Sequence, residues 1–213
     1  MDKRFLIILS VIVLAVVGVF WFNKSKSTTS SKANTSQASN HVIGNNTKGV
    51  TLVEYGDYQC PACGQFYPIV KQLQKTYAND ISFRFANFPL VQIHPNAMSA
   101  ARAAESAALQ GKFWEMHDLL YENQSAWSAG TNAQDYYEQF AKSLGLDMNK
   151  FKTDMASQAV SDAINADISQ AQGLGATGTP TFVVNGKKIE TNPKSLEEFS
   201  KLIDQTIKDA KKS

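Results

Sequence analysis

Two cysteines, Cys60 and Cys63, sit where a strand pattern gives way to a helix pattern, and that placement constrains this chain more than any other feature. Upstream, Thr51 to Tyr55 reads as a buried strand. Downstream, Pro61 to Tyr77 reads as a helix, with Phe66, Ile69, Val70, Leu73 and Tyr77 at helical spacing on one face. Cys60 therefore falls in the N-cap region, where free backbone N–H groups and the positive end of the helix dipole stabilise an anion. A thiolate there has a lowered pKa and is the attacking or leaving species in exchange. Pro61 suits the first helical position, where its missing N–H costs nothing. Cys63 lies one turn further in, close enough for a disulfide but more enclosed. Such a disulfide closes a tiny loop and constrains little of the unfolded chain, so it is a poor structural staple. The pair points instead to redox chemistry or to half of a metal site. In thiol–disulfide exchange, Cys60 attacks and forms the mixed disulfide, and Cys63 resolves it.

A structural zinc site needs four ligands, usually two such pairs. There is no third cysteine, and His41, His94 and His117 are scattered without zinc-finger spacing, so neither a metal nor another cofactor is expected. The formal net charge is +2, with no basic stripe interleaved with aromatics, so no nucleic-acid partner is expected.

The rest of the chain organises around this junction. Phe5 to Phe22 is an uncharged run of 18 residues preceded by Lys3 and Arg4. It is long for the core of a cleaved signal peptide and lacks a small-x-small cleavage site, so residues 1–22 read better as a cytoplasmic stub and signal anchor than as a leader cut in the Ser-rich stretch. Trp21 suits the membrane interface. Residues 23–40 carry no large apolar side chain and read as a flexible tether. Residues 41–213 form the expected folded domain. In it, 81–86 is a second strand, and about 95–172 is helical, with breaks near Gly111, Ser128–Thr131 and Gly145–Asp147. Thr181 to Val184 is a strand, Asn185-Gly186 a hairpin turn and Lys188 to Glu190 the returning strand. Ser195 caps a last helix, with Glu198 completing a capping box. This order predicts an α/β sheet sandwiched by helices.

The stretch Val53-Glu54-Tyr55 leading to Cys60-Pro61-Ala62-Cys63 resembles the active-site strand and helix of the DsbA-like thiol:disulfide oxidoreductases of the thioredoxin superfamily. Pro68 is similar to the proline inside that helix in thioredoxins. Phe88-Pro89-Leu90 with His94-Pro95-Asn96-Ala97 resembles the entry to the family's inserted helices, and Gly178-Thr179-Pro180-Thr181 its cis-proline loop. The likeness runs in order over about residues 41–210. It implies a thioredoxin-like fold, βαβ plus ββα, with an inserted helical domain and here preceded by a transmembrane helix. It also implies a cis bond before Pro180 and a substrate-binding role for Thr179 and Pro180. It further implies oxidation of cysteine-containing secreted or membrane proteins, and a membrane quinone reductase that reoxidises the pair. An extracytoplasmic, oxidising location suits a chain with no other cysteine to mispair. The better-known strong oxidases carry Pro-His between their cysteines. With Ala62 in place of that histidine, a weaker oxidant is expected, still more oxidising than thioredoxin.

Glu54 is a carboxylate in an apolar strand, six residues before Cys60. Buried, it would have a raised pKa and would relay a proton to or from Cys63; at an edge it would merely face water. His94 has two readings, a residue near the active site and a helix-entry residue packed locally, of which the second is favoured; Tyr58 and Gln59 read as part of a substrate-facing rim. Trp114, Trp127, Met98 and Met116 read as core of the helices. Two other functions compete with oxidation: a reductase or isomerase kept reduced by a membrane donor, and a non-catalytic chaperone-like binding module.

Overall fold

The computed structural model describes residues 37–211. In chain order the elements are β1 (His41–Ile43), β2 (Val50–Gly56), α1 (Pro61–Thr76), β3 (Ile81–Asn87), α2 (Ala97–Ala108), α3 (Phe113–Glu122), the single turn α4 (Gln124–Trp127), α5 (Ala133–Ser143), α6 (Met148–Met155), α7 (Gln158–Gly173), β4 (Thr181–Val184), β5 (Lys187–Lys188) and α8 (Leu196–Ala210). The sheet is five-stranded, in the order β1-β3-β2-β4-β5. β2 and β3 run parallel, joined by α1, and β4 lies antiparallel on the other side of β2. This is the expected thioredoxin-like fold, with α2 to α7 inserted between β3 and β4.

Alternation along the central strands sorts side chains onto two faces. On one face Leu52, Phe83, Phe85 and Phe182 pack against Leu73 of α1 and Phe199 and Ile203 of α8. On the other, Tyr55, Ala86 and Val183 pack against Ala171 of α7. Both faces are covered, which is why the central strands read as near-continuous apolar runs. Glu54 shares the first face with Leu52, and that places a carboxyl inside the core.

Local signals account for the element ends. Asn185 and Gly186 adopt φ of 46° and 78°, the left-handed pair that a tight two-residue hairpin requires. Ser195 accepts from the Glu198 N–H as expected, whereas the Glu198 carboxylate reaches the N–H of Lys194 rather than that of Ser195. The returning strand is Lys187–Lys188, one residue earlier than expected, and Ile189 extends the ladder by donating to the Phe182 carbonyl. The helical region has two further breaks, at Asn123 and at Ala156-Ser157, where the Ser157 hydroxyl caps α7 by accepting from Val160.

The apolar run Phe5–Phe22 lies outside the described residues, as does most of the tether. Among the described residues no helix is long and apolar enough to cross a membrane. The end of the tether departs from expectation, because Ser39 is buried. Its N–H and hydroxyl both donate to the Asp167 carboxylate. That carboxylate also accepts from Arg84 at 3.0 Å and from the Asn87 N–H at 3.0 Å. The Asn87 side chain in turn donates to Glu105, which His41 contacts at 2.8 Å. One buried polar network thus joins the N-terminal segment and β3 to α2 and α7. Replacing Asp167 with Ala leaves Arg84 and Asn87 without their shared acceptor, and is expected to cost about 3 kcal/mol in urea unfolding.

Candidate active site

The β2–α1 junction presents the two cysteines at different depths. Cys60 is the N-cap of α1, with φ −67° and ψ 121°, and Pro61 follows as the first helical residue. Its sulfur sits where backbone N–H groups of the first turn are free, as the sequence predicts. Cys63 is fully buried one turn further in. Both are thiols, and the Cys60 thiol lies 3.5 Å from the Thr179 carbonyl oxygen, to which it donates.

The two thiols ionise very differently. A hydrogen bond from the Cys63 thiol does most to lower the Cys60 pKa to about 5. Burial works against that, and the Thr179 side chain and the backbone N–H groups of Cys63 and Ala62 add to the lowering. Burial pushes the Cys63 thiol well up, assisted by its donation to Cys60 and by the Glu54 charge. Glu54 is 2 % exposed, and burial, then the charge on Cys60, raises its carboxyl to about 8. Among the described residues no cation pairs with it. At neutral pH the site therefore holds one readily ionised sulfur, one protonated sulfur and a carboxylic acid that titrates in the physiological range.

The peptide bond between Thr179 and Pro180 is cis, as the resemblance implies; Pro180 is buried, and the Thr179 carbonyl before it faces Cys60. The loop around it lines a polar groove of about 290 Å³, with Gly178, Thr179, Lys188, Glu190 and Asn192 on its walls. Asn192 anchors this loop by donating to the Pro180 carbonyl at 2.7 Å. Cys60, Cys63, Pro61, Glu54, Thr179 and Pro180, singled out in the sequence, thus lie around one site. No group of three or more His, Cys, Asp or Glu among the described residues is placed to hold a metal.

The loop that delivers Cys60 is held by residues whose part the sequence does not reveal. Asp57, 1 % exposed, accepts from the Gln59 N–H at 2.8 Å and the Leu90 N–H at 2.9 Å, and meets His94 Nδ1 at 2.7 Å. His94 is indeed packed at a helix entry, but its partner is the active-site loop. Gln124 of α4 donates to the carbonyls of Tyr58 and Cys60 at 2.7 and 2.9 Å. It lies against Gly64 of α1 so closely that a Cβ at position 64 would collide with it. Tyr58 is not on the rim: at 1 % exposure it is core, packed on Phe85 and Tyr121. Gln59 is half-buried and spends its amide on Ser128 and Asn96. An Asp two residues before a backbone donor it can reach is a local Asx-turn signal, so Asp57 was within reach of sequence reasoning. Gln124, 61 residues after Cys63 and joined to the site only through the fold, was not. Trp127 and Met116 are fully buried in the helical core, and Trp114 packs against Phe83.

The sequence and the fold are similar to those of known proteins. A family model described as thioredoxin matches residues 36–205. The oxidised BdbD of Bacillus subtilis superposes with a TM-score of 0.69 at 28 % identity, covering 81 % of this chain and 96 % of its own. A thioredoxin-like oxidoreductase from Silicibacter pomeroyi gives a TM-score of 0.67 at 28 % identity, covering 79 % and 92 %. Among curated sequences, a Na(+)/H(+) antiporter NhaA 3 of Salinispora tropica is 38 % identical over 75 % of this chain but only 24 % of its own length. The chain thus spans about a quarter of the length of that relative.

The thiolate absorbance of the reduced protein should titrate with a midpoint at about pH 5, from Cys60 alone. Because that value lies below the 9.0 of an ordinary cysteine, ionised Cys60 stabilises the reduced fold fully above pH 9.0, and this contribution is lost as the pH falls to about 5. Thermal melts of reduced and oxidised protein should therefore converge in difference from pH 8 to pH 5, the reduced form losing its advantage.

Proposed function

This chain belongs to the thioredoxin family, among its DsbA-like thiol-disulfide oxidoreductases, and we propose that it is a membrane-anchored extracytoplasmic enzyme that donates the Cys60–Cys63 disulfide to cysteine-containing secreted or membrane proteins. The observation that carries the oxidising direction is the held charge on Cys60, whose pKa is lowered to about 5. A site that stabilises the reduced, thiolate form makes its disulfide easier to reduce, hence a stronger oxidant.

In the proposed cycle a substrate thiolate attacks the Cys60 sulfur of the disulfide. The Cys60–Cys63 bond breaks, and Cys63 leaves with the electron pair. Glu54, protonated at neutral pH because burial raises it to about 8, hands its proton to Cys63. A second substrate thiolate then attacks the substrate sulfur of the mixed disulfide, and Cys60 leaves as the stable thiolate. Two electrons have passed from substrate to protein. A membrane quinone reductase takes them up and restores the disulfide. The groove beside Thr179 and Pro180 offers an extended segment its backbone contacts. Val91 and Ile93, 45 % and 68 % exposed, supply an apolar surface on the loop that Leu90 ties to Asp57. The uncharged run Phe5–Phe22 supports the anchor.

The deciding measurement is the reduction potential of the pair in glutathione buffers. A value of about −120 to −180 mV fits a disulfide donor, and one near about −270 mV, that of thioredoxin, overturns the oxidising direction in favour of a reductase. Cys60→Ala should abolish oxidation of a two-thiol peptide. Undiminished oxidation by that variant would overturn the reading of Cys60–Cys63 as the disulfide donor, and no oxidation by the unsubstituted protein would leave only a non-catalytic binding module.

A further inference from the structure

The aromatic cluster behind the cysteines contains three buried polar atoms without a hydrogen-bond partner: the hydroxyls of Tyr58 and Tyr121 and Nε2 of His117. All three residues are at most 6 % exposed. Their ring centroids form a triangle, with 5.0 Å between Tyr58 and Tyr121, 5.1 Å between His117 and Tyr121 and 5.6 Å between Tyr58 and His117. Orphaned buried polar atoms are rare, and three in one cluster call for a shared partner, which an internal water provides by donating and accepting in turn.

This cluster reaches from the buried acid to the surface. Glu54 and Gly56 lie on the same face of β2, one pleat apart. A Cβ on Gly56 would stand 3.0 Å from the Tyr121 hydroxyl, so that hydroxyl occupies the space beside Glu54 that a larger residue would fill. At the other end, His117 Nδ1 meets the Asp118 carboxylate at 3.3 Å, and Asp118 pairs with Lys71. Their side chains are 25 % and 32 % exposed. Tyr67, half-buried on α1, stacks on Tyr121 and flanks the same path.

We propose that Tyr121, Tyr58 and His117, bridged by internal water, form the route by which a proton passes between Glu54 and solvent. The route rests on the reading of Glu54 as the acid that serves Cys63. Burial lowers the His117 pKa, which keeps the ring neutral at pH 7. With its Nδ1 proton directed at Asp118, Nε2 is the free acceptor. A proton arriving at Nε2 through water and the tyrosine hydroxyls releases the Nδ1 proton to the Asp118 carboxylate, which exchanges it with solvent. No proton is gained or lost along the way. The charged and titratable groups acting on the path are Glu54, Cys63 and Asp57 at its inner end, Tyr67 and Lys71 from α1, Asp118 from α3, and Glu105, Asp167 and His41 beyond Tyr58 and His117.

The test uses the full chain carrying glutathione on Cys60 as a mixed disulfide. Resolution requires Glu54 first to release its own proton along the route and then to take that of Cys63, which attacks the Cys60 sulfur, with glutathione leaving as the thiolate. The double variant Tyr58→Phe/Tyr121→Phe keeps both rings and removes both orphan hydroxyls. It should slow resolution about tenfold at neutral pH, enlarge the solvent isotope effect and leave the Cys60 thiolate titration in place. In a Glu54→Gln background the same pair of substitutions should have no further effect, since the tyrosines act only through Glu54. Wild-type rates and an unchanged pH profile in the double variant overturn the route alone. Failure of the wild-type chain to resolve the mixed disulfide overturns the oxidoreductase reading and the route with it.

Discussion

A sulfur can carry a negative charge at the start of α1 because four donors converge on it, and the surrounding fold keeps them there. The Cys63 thiol, the Thr179 side chain and the first-turn N–H groups of Ala62 and Cys63 each come from a different geometric requirement. The helix must begin at Pro61, the second cysteine must fall one turn on, and the loop before β4 must arrive at the C-terminal end of the neighbouring β2. Loss of any one weakens the anion without dismantling the sheet. The chemistry is thus a property of the junction rather than of either cysteine.

The hydrogen bond that Cys63 gives Cys60, and the deeper burial of Cys63, supply the asymmetry. Cys60 and Cys63 are the same residue type three positions apart, yet one is brought down to about 5 and the other pushed well above the ordinary value. Glu54 is raised by the same loss of water to about 8. An acid of that strength next to a reluctant thiol is suited to proton exchange near neutral pH. A salt-bridged carboxylate there would be fixed in its charged form.

Much of this was legible in the chain. β2, β3 and β4 announced themselves as apolar runs, α1 through its spaced face and Pro61, the hairpin through Asn185-Gly186 and α8 through Ser195. Each of these signals is local. What stayed hidden depends on contacts across the fold. β1 has three residues and is ordered by pairing with β3. Tyr58 looks like a rim residue from its place beside Cys60, and only the positions of Phe85 and Tyr121 make it core. Ser39 reads as tether by composition and is captured by Asp167, 128 residues away. The helical breaks at Asn123 and Ser157 carry weak propensity signals, which the neighbouring helical pattern masks.

Gln124 and Gly64 illustrate how far the site reaches into the helical insertion. The Gln124 amide ties the carbonyls on either side of Gln59 to α4, and its other end fills the space above Gly64. Neither position can drift by itself. A methyl at 64 must displace the end of the glutamine side chain and with it the bonds that hold the loop, and a shorter residue at 124 opens that space but also releases the loop. Related chains should therefore vary these two positions jointly or not at all, a covariation written by steric exclusion between residues that no sequence neighbourhood connects.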